Sequence, residues 1–140
     1  MRTVFFDTSA LYSAIVSPSG AARELMRMAI NDAVTLYISE DVVTEATRNI
    51  SNKAPQLVPV LAFLLDVGVF ILTPRLNAHE VQVTAQYVEP KDAMIVAAAI
   101  KANVTYLATF DRKHLIDPPA VSANSSLNIA TPGDILQQLR

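Results

Sequence analysis

Residues 3–11 read TVFFDTSAL, and this stretch decides how the chain folds. Its first four residues are apolar or β-branched, which predicts a short buried strand over Thr3–Phe6. The strand stops at Asp7, and a helix can begin at Thr8 with Asp7 or Thr8 near its N-cap. A strand that turns directly into a helix is typical of the first βα unit of an α/β protein.

The rest of the chain repeats this alternation. Further strands are predicted at 34–38, 69–72, 104–108 and 127–130. Helices are predicted at 21–31 (capped by Ser19), 40–52, 55–66, 78–86, 93–102 and from 131 onward, with a surface loop at 117–126. We therefore expect an α/β fold, a three-layer α/β/α sandwich with a mostly parallel central sheet, in one domain over residues 1–140.

The amino-acid composition limits the kinds of metal site and partner that the chain can have. The 140 residues include no cysteine and two histidines, which excludes disulfides, thiolate metal sites and a multi-histidine zinc site. A bound metal must therefore rely on oxygen ligands, which favours hard cations. The formal net charge of −2 gives no overall basic field for nucleic acid. The N-terminus does not resemble a signal sequence, and the longest apolar stretch contains Asp66, so we expect a soluble, cytoplasmic protein.

Four acidic residues lie where the chain changes element type: Asp7, Glu45, Asp92 and Asp111. Carboxylates at the C-terminal ends of parallel strands and on adjoining helices can converge on one crevice. They would repel one another there unless a cation shared them, so the pattern indicates a Mg²⁺- or Mn²⁺-dependent site. Each residue alone also has an ordinary interpretation: Asp7 and Asp92 as helix caps, Glu45 as a solvated helical residue, Asp111 as the start of a turn.

Other phosphate chemistries fit less well. The three glycines are not spaced as in a phosphate-binding loop, and no Gly-x-Ser-x-Gly motif exists. A haloacid-dehalogenase-like phosphatase would need a second Asp where Ser9 stands. A receiver domain would need an acidic pair after the first strand and an acceptor Asp after the third, and neither is present.

Five segments together resemble the PIN-domain ribonucleases. They are VFFDTSAL at 4–11, ISEDVVTE at 38–45, KDAMIVAAA at 91–99, YLATFDRKHL at 106–115 and IATP at 129–132. No single motif is distinctive, but their order and spacing are fairly specific and run nearly end to end. The chain is most similar to small stand-alone prokaryotic PIN proteins, many of which are toxins of VapC-type toxin–antitoxin pairs.

The resemblance implies an endoribonuclease, a hydrolase of RNA phosphodiester bonds with Mg²⁺ or Mn²⁺ as cofactor. Asp7, Glu45, Asp92 and Asp111 would be its catalytic and metal-binding residues, and Ser9 and Thr109 would orient water or carboxylate beside them. A homodimer and an antitoxin partner are implied in the same way. The chain departs from the toxin pattern after Asp111, where a further acid and Phe often stand in place of His114 and Leu115, so the toxin subgroup stays open.

RNA binding would need local positive charge. Lys91, Arg112 and Lys113 are the best candidates for phosphate contacts because each neighbours a proposed metal ligand. His114 is expected to be structural, since metal-activated water removes the need for a histidine base. Two alternatives stay open: a catalytically inactive RNA-binding or scaffold protein on the same fold, and a phosphohydrolase of small phosphoesters.

Overall fold

A computed structural model describes residues 2–140. Its five strands form one parallel sheet, in the order β3-β2-β1-β4-β5. The strands are β1 (Thr3–Phe6), β2 (Thr35–Ile38), β3 (Phe70–Leu72), β4 (Tyr106–Ala108) and β5 (Asn128–Ala130). The α-helices are α1 (Thr8–Val16), α2 (Ala21–Ile30), α3 (Glu40–Lys53), α4 (Val58–Asp66), α5 (Ala78–Thr84), α6 (Pro90–Lys101), α7 (Pro119–Ser125) and α8 (Pro132–Leu139).

The central strand β1 is buried along its whole length, and Val4, Phe5 and Phe6 have no exposed surface. Burial on both faces of a strand requires helices on both sides of the sheet. This confirms the predicted α/β fold with a parallel central sheet. α6 packs one face into the core, with Ala93 and Val96 to Ala99 buried. Met94 and Ile100 are exposed, so this apolar helix is not buried on all sides.

Strand order reverses at β1. The chain runs outward from β1 to β2 and β3, then crosses back to place β4 on the other side of β1. In open α/β sheets a crevice forms where the order reverses, outside the C-terminal ends of the strands. Asp7 follows β1 and Asp111 follows β4, so both lie at this crevice.

Three local predictions were wrong. Residues 117–126 are not a loop, because α7 occupies Pro119–Ser125 and buries Val121. α6 begins at Pro90 and not at residue 93, so Asp92 lies in its first turn and the cap is Glu89. Both errors come from reading proline as a loop signal, whereas proline is favoured in the first turn of a helix. The cap of α2 is Gly20, which makes no side-chain cap bond, and not Ser19.

Two short helical turns lie between these elements, a 3-10 turn at Pro55–Leu57 and a π-helical turn at Arg112–Ile116. The second follows directly after Asp111, which caps it. None of the helices within residues 2–140 has the length and hydrophobicity needed to cross a membrane.

Candidate metal centre

Asp7 is fixed in place by three donors. It is the N-cap of α1, and its Oδ1 accepts hydrogen bonds from the Ala10 backbone N–H at 2.9 Å and from Ser9 Oγ at 2.7 Å. Its Oδ2 accepts a hydrogen bond from Thr109 Oγ1. The side chain is therefore a cap, as its ordinary interpretation predicts, and also the residue that joins the ends of β1 and β4.

The Thr109 hydroxyl connects two of the acids. It donates to Asp7 and accepts from the backbone N–H of Asp111 at 3.0 Å, and Thr109 has no exposed surface. Ser9 works in parallel, because its Oγ accepts from the Phe110 backbone N–H at 3.1 Å while donating to Asp7. These hydroxyls hold the two strand ends in register, and this positions the carboxylates of Asp7 and Asp111.

Asp111 caps the π-helical turn that follows β4. Its Oδ1 accepts from the backbone N–H of His114 at 3.0 Å, and its Oδ2 lies 3.2 Å from His114 Nδ1. The other ring nitrogen, Nε2, lies 3.8 Å from Glu89 Oε1. The imidazole thus stands between the carboxylates of Asp111 and Glu89.

Asp92 enters the crevice from the first turn of α6. Its Oδ2 is buried and has no hydrogen-bond partner within the described part of the chain. Burial raises the pKa of Asp92, the ammonium of Lys91 lowers it, and the carboxylate of Asp111 raises it again. A buried carboxylate oxygen without a donor is costly, and a cation would remove that cost.

Burial also raises the pKa of Asp7. The hydrogen bonds from Thr109, Ala10 and Ser9 oppose this shift, and the Asp111 carboxylate adds to it. Placing several carboxylates in one low-dielectric crevice disfavours their charged forms. These residues fit a hard divalent cation, because its oxygen-ligand preference matches the carboxylates and its charge offsets their repulsion.

All four acids line one open cleft with a volume of about 700 Å³. Asp7, Asp92 and Asp111 approach it from the sheet and α6, and Glu45 faces it from α3, where its side chain is exposed. Ser9 and Lys91 also line it. Arg112 and Lys113 are not among its lining residues in the described chain, and Arg112 Nη2 lies 4.0 Å from Asp134 Oδ2.

One wall of the cleft was not predicted. It is made by Tyr12 on α1 together with Asn49 and Lys53 on α3, and Lys53 Nζ lies 5.7 Å from the centre of the Tyr12 ring. Asn49 and Lys53 follow Glu45 at intervals of four residues, so all three share one face of α3. That spacing is the sequence signal that would have identified them.

The tightest group of donors combines two carboxylates with one imidazole. Single ligand atoms from Asp92, Asp111 and His114 all lie within 4.8 Å of one another. Across residues 2–140 no other three acidic, histidine or cysteine side chains meet this spacing. Asp7 and Glu45 line the same cleft but stand outside this inner group.

Comparison with known proteins shows the family to which the sequence belongs. A family model described as PIN domain matches residues 3–113, a span that includes all four acids. Among solved structures, PAE2754 from Pyrobaculum aerophilum matches with a TM-score of 0.61 and 20% identity, over 99% of this chain and 89% of that one. FitAcB from Neisseria gonorrhoeae matches with a TM-score of 0.61 and 16% identity, over 93% of this chain and 98% of that one.

At these identities the two structures show likeness of fold alone. No curated protein matches the chain in sequence. The family model, however, covers most of the chain, from the start of β1 to the π-helical turn after Asp111. The chain therefore belongs to the PIN-domain family, whose fold is a nuclease fold.

Proposed function

We propose that this protein is a metal-dependent endoribonuclease that hydrolyses phosphodiester bonds of RNA. The observation that carries the proposal is the cleft itself, where Asp92 buries an unpartnered carboxylate oxygen beside Asp111 and the two remaining acids line the same space. A fold has no structural reason to keep such an arrangement, since it costs stability in the absence of a cation. Family membership supports nuclease chemistry for the site.

The four acids would have different roles in the site. Asp7, Asp92 and Asp111 would hold the ion, with Ser9 and Thr109 fixing the orientation of Asp7. A bound Mg²⁺ or Mn²⁺ would supply charge neutralisation at the scissile phosphate and activation of the attacking water. Glu45 is exposed on the α3 side of the cleft and would orient that water. The products would be a 5′-phosphate and a 3′-hydroxyl.

Positive charge at the cleft would hold the RNA. Lys91 and Lys53 both line the cleft, and both are exposed. Either ammonium can meet a phosphate while the neighbouring acids hold the ion. Arg112 and Lys113 are exposed on the turn after Asp111, where they would meet phosphates further along the RNA.

The test is RNA cleavage by protein stripped with EDTA and resupplied with Mg²⁺ or Mn²⁺. We expect cleavage only with added metal, and loss of cleavage in Asp92→Asn. Asp66→Asn is the matched control, because Asp66 ends α4 and is not among the residues lining the cleft. RNA binding without cleavage under every metal condition would favour the inactive RNA-binding alternative. Cleavage of small phosphoesters but not RNA would favour a phosphohydrolase.

A toxin–antitoxin role is the finer part of the proposal and rests on the sequence resemblance. We infer a cytoplasmic RNA target, an antitoxin partner and a homodimer, with residues 1–140 acting as one domain. Four apolar side chains support a protein partner at one edge of the molecule, since they are 46% to 63% exposed: Phe63, Val67, Ile71 and Leu72. The toxin role would be supported by a short basic DNA-binding protein that is encoded immediately upstream and co-purifies with this chain. It would be contradicted if the chain is encoded alone and does not slow growth when it is expressed.

A further inference from the structure

We propose that His114 supplies a nitrogen ligand to the ion held by Asp92 and Asp111, so that the centre selects a transition-metal ion such as Mn²⁺ over Mg²⁺. This inference deepens the proposed function and rests on its metal centre. It changes the donor set from carboxylates alone to carboxylates and one imidazole. It also gives His114 a role at the ion that the sequence did not indicate.

Asp111 caps the π-helical turn, and this cap brings the imidazole next to a carboxylate. Asp111 Oδ1 accepts the His114 backbone N–H at 3.0 Å, which fixes the turn, and buried Leu115 anchors the next position in the core. The ring then lies with Nδ1 3.2 Å from Asp111 Oδ2, and its side chain is 24% exposed. π-helical turns are rare and are found frequently at functional sites.

The unpartnered oxygen of Asp92 points to an ion at this same place. Ligand atoms of Asp92, Asp111 and His114 lie within 4.8 Å of one another, close enough for one ion to contact all three. Asp92 Oδ2 has no hydrogen-bond donor in the described chain, so neither His114 nor any other side chain there satisfies it. An ion between the three residues would bind the carboxylate of Asp92, offset the cost of its burial and give the imidazole a partner at its lone pair.

Donor chemistry sets the preference among ions. Imidazole suits first-row transition metals, whereas Mg²⁺ takes oxygen ligands almost exclusively. A ligating imidazole commonly donates its other N–H to a carboxylate, which fixes its tautomer. Glu89 is the carboxylate on that side of the ring, with its Oε1 3.8 Å from Nε2, and a small side-chain movement would bring the two atoms within hydrogen-bond distance.

A competing arrangement has the Nδ1–H donating to Asp111, so that His114 only positions that carboxylate. Pulsed electron paramagnetic resonance of the Mn²⁺-loaded protein separates the two, because a directly bound nitrogen modulates the Mn²⁺ echo. We expect ¹⁴N modulation in the wild type, its loss in His114→Gln and its retention in His79→Gln. His79 is the matched control, since it is exposed in α5 and is the only other histidine of the sequence.

Metal affinity gives an independent readout by calorimetry. In His114→Gln we expect affinity for Mn²⁺ and Co²⁺ to fall by about tenfold or more, and affinity for Mg²⁺ to change by less than about twofold. Equal losses for all ions would overturn the inference in favour of a positioning role. Should His114→Gln fail to fold, His114→Asn replaces it, and the wild-type spectrum alone still decides whether nitrogen is bound.

The outcomes separate this inference from the proposed function. Bound Mn²⁺ without nitrogen modulation overturns the inference and leaves a carboxylate metal centre in place. Nitrogen modulation in a protein that cleaves no RNA supports the inference and contradicts the proposed activity. Absence of Mn²⁺ binding overturns the inference, and absence of both Mn²⁺ and Mg²⁺ binding overturns the proposed function as well.

Discussion

Thr109→Val removes a hydroxyl that joins the ends of two strands, and the contacts of that hydroxyl set how much the free energy of unfolding falls. The hydroxyl donates to the carboxylate of Asp7 and accepts from the backbone N–H of Asp111, in a place with no exposed surface. A hydrogen bond to a charged group is worth about 1.5–3 kcal/mol and a neutral one about 1 kcal/mol. Because valine keeps the shape of threonine, we expect the free energy of unfolding to fall by about 2–4 kcal/mol.

Thr109→Ser is the control, because it keeps both hydrogen bonds and loses one buried methyl group, about 1 kcal/mol. The assay is urea unfolding at neutral pH in EDTA, with the variants compared at equal protein concentration. The difference between the variants should also shrink as pH falls. Thr109 stabilises the charged form of Asp7 and so lowers its pKa, and that contribution disappears once Asp7 is protonated. A valine variant as stable as the serine variant would show that these two hydrogen bonds do not stabilise the fold.

Three further outcomes follow from the cleft. In EDTA, the free energy of unfolding should fall as pH rises through the folded-state pKa values of Asp7 and Asp92. Burial raises both pKa values above those of the unfolded chain, so the folded protein binds more protons at lower pH. Saturating Mn²⁺ should reverse that trend, and a free energy of unfolding that does not change with pH in EDTA would contradict the cost assigned to burial of these carboxylates. Asp92→Asn should unfold at a higher temperature than wild type in EDTA and should lose the increase in Tm that Mn²⁺ gives the wild type; a variant that is less stable in EDTA and still responds to Mn²⁺ would show that Asp92 is no ligand. Lys91→Ala should lower the slope of log affinity for RNA against log salt by about 1, measured by fluorescence anisotropy in EDTA. Lys113 is not among the residues lining the cleft, so Lys113→Ala should change that slope less. A larger change in Lys113→Ala than in Lys91→Ala would place the RNA on another surface.

The sequence predicts the sheet and the approach of the acids for one reason. Strand-forming runs that alternate with helices leave few topologies, and in a parallel sheet the residues after β1 and β4 must meet at one edge. Asp7 and Asp111 could therefore be placed near one another without knowledge of any contact. Glu45 could be placed by its position off the apolar stripe of α3, which leaves it free to face the cleft.

The contacts between distant segments could not be read in the same way. Nothing local shows that Thr109 bonds to Asp7, or that Tyr12 lies against Lys53, because both contacts depend on how separate elements pack. The π-helical turn is a similar case. An aspartate cap on the His114 backbone N–H is a common local pattern, but nothing local shows that the turn is π-helical or that the imidazole lies against the carboxylate of Asp111.

Two prolines account for the wrong predictions at the start of α6 and at α7. Pro90 and Pro119 both occupy the first turn of a helix, where the missing N–H is not needed. The observed start of α6 matters for the site, because it places Asp92 in the first turn of a helix instead of at its cap. No backbone N–H or side chain of the described residues donates to Asp92 Oδ2 there.

The most direct test of the central claim is the anomalous diffraction of a crystal loaded with Mn²⁺. We expect an anomalous peak in the cleft, in contact with the carboxylates of Asp92 and Asp111. An Asp92→Asn crystal prepared in the same way should lack it. A wild-type crystal that binds Mn²⁺ elsewhere while the cleft shows no peak would contradict the assignment of these carboxylates to a metal centre.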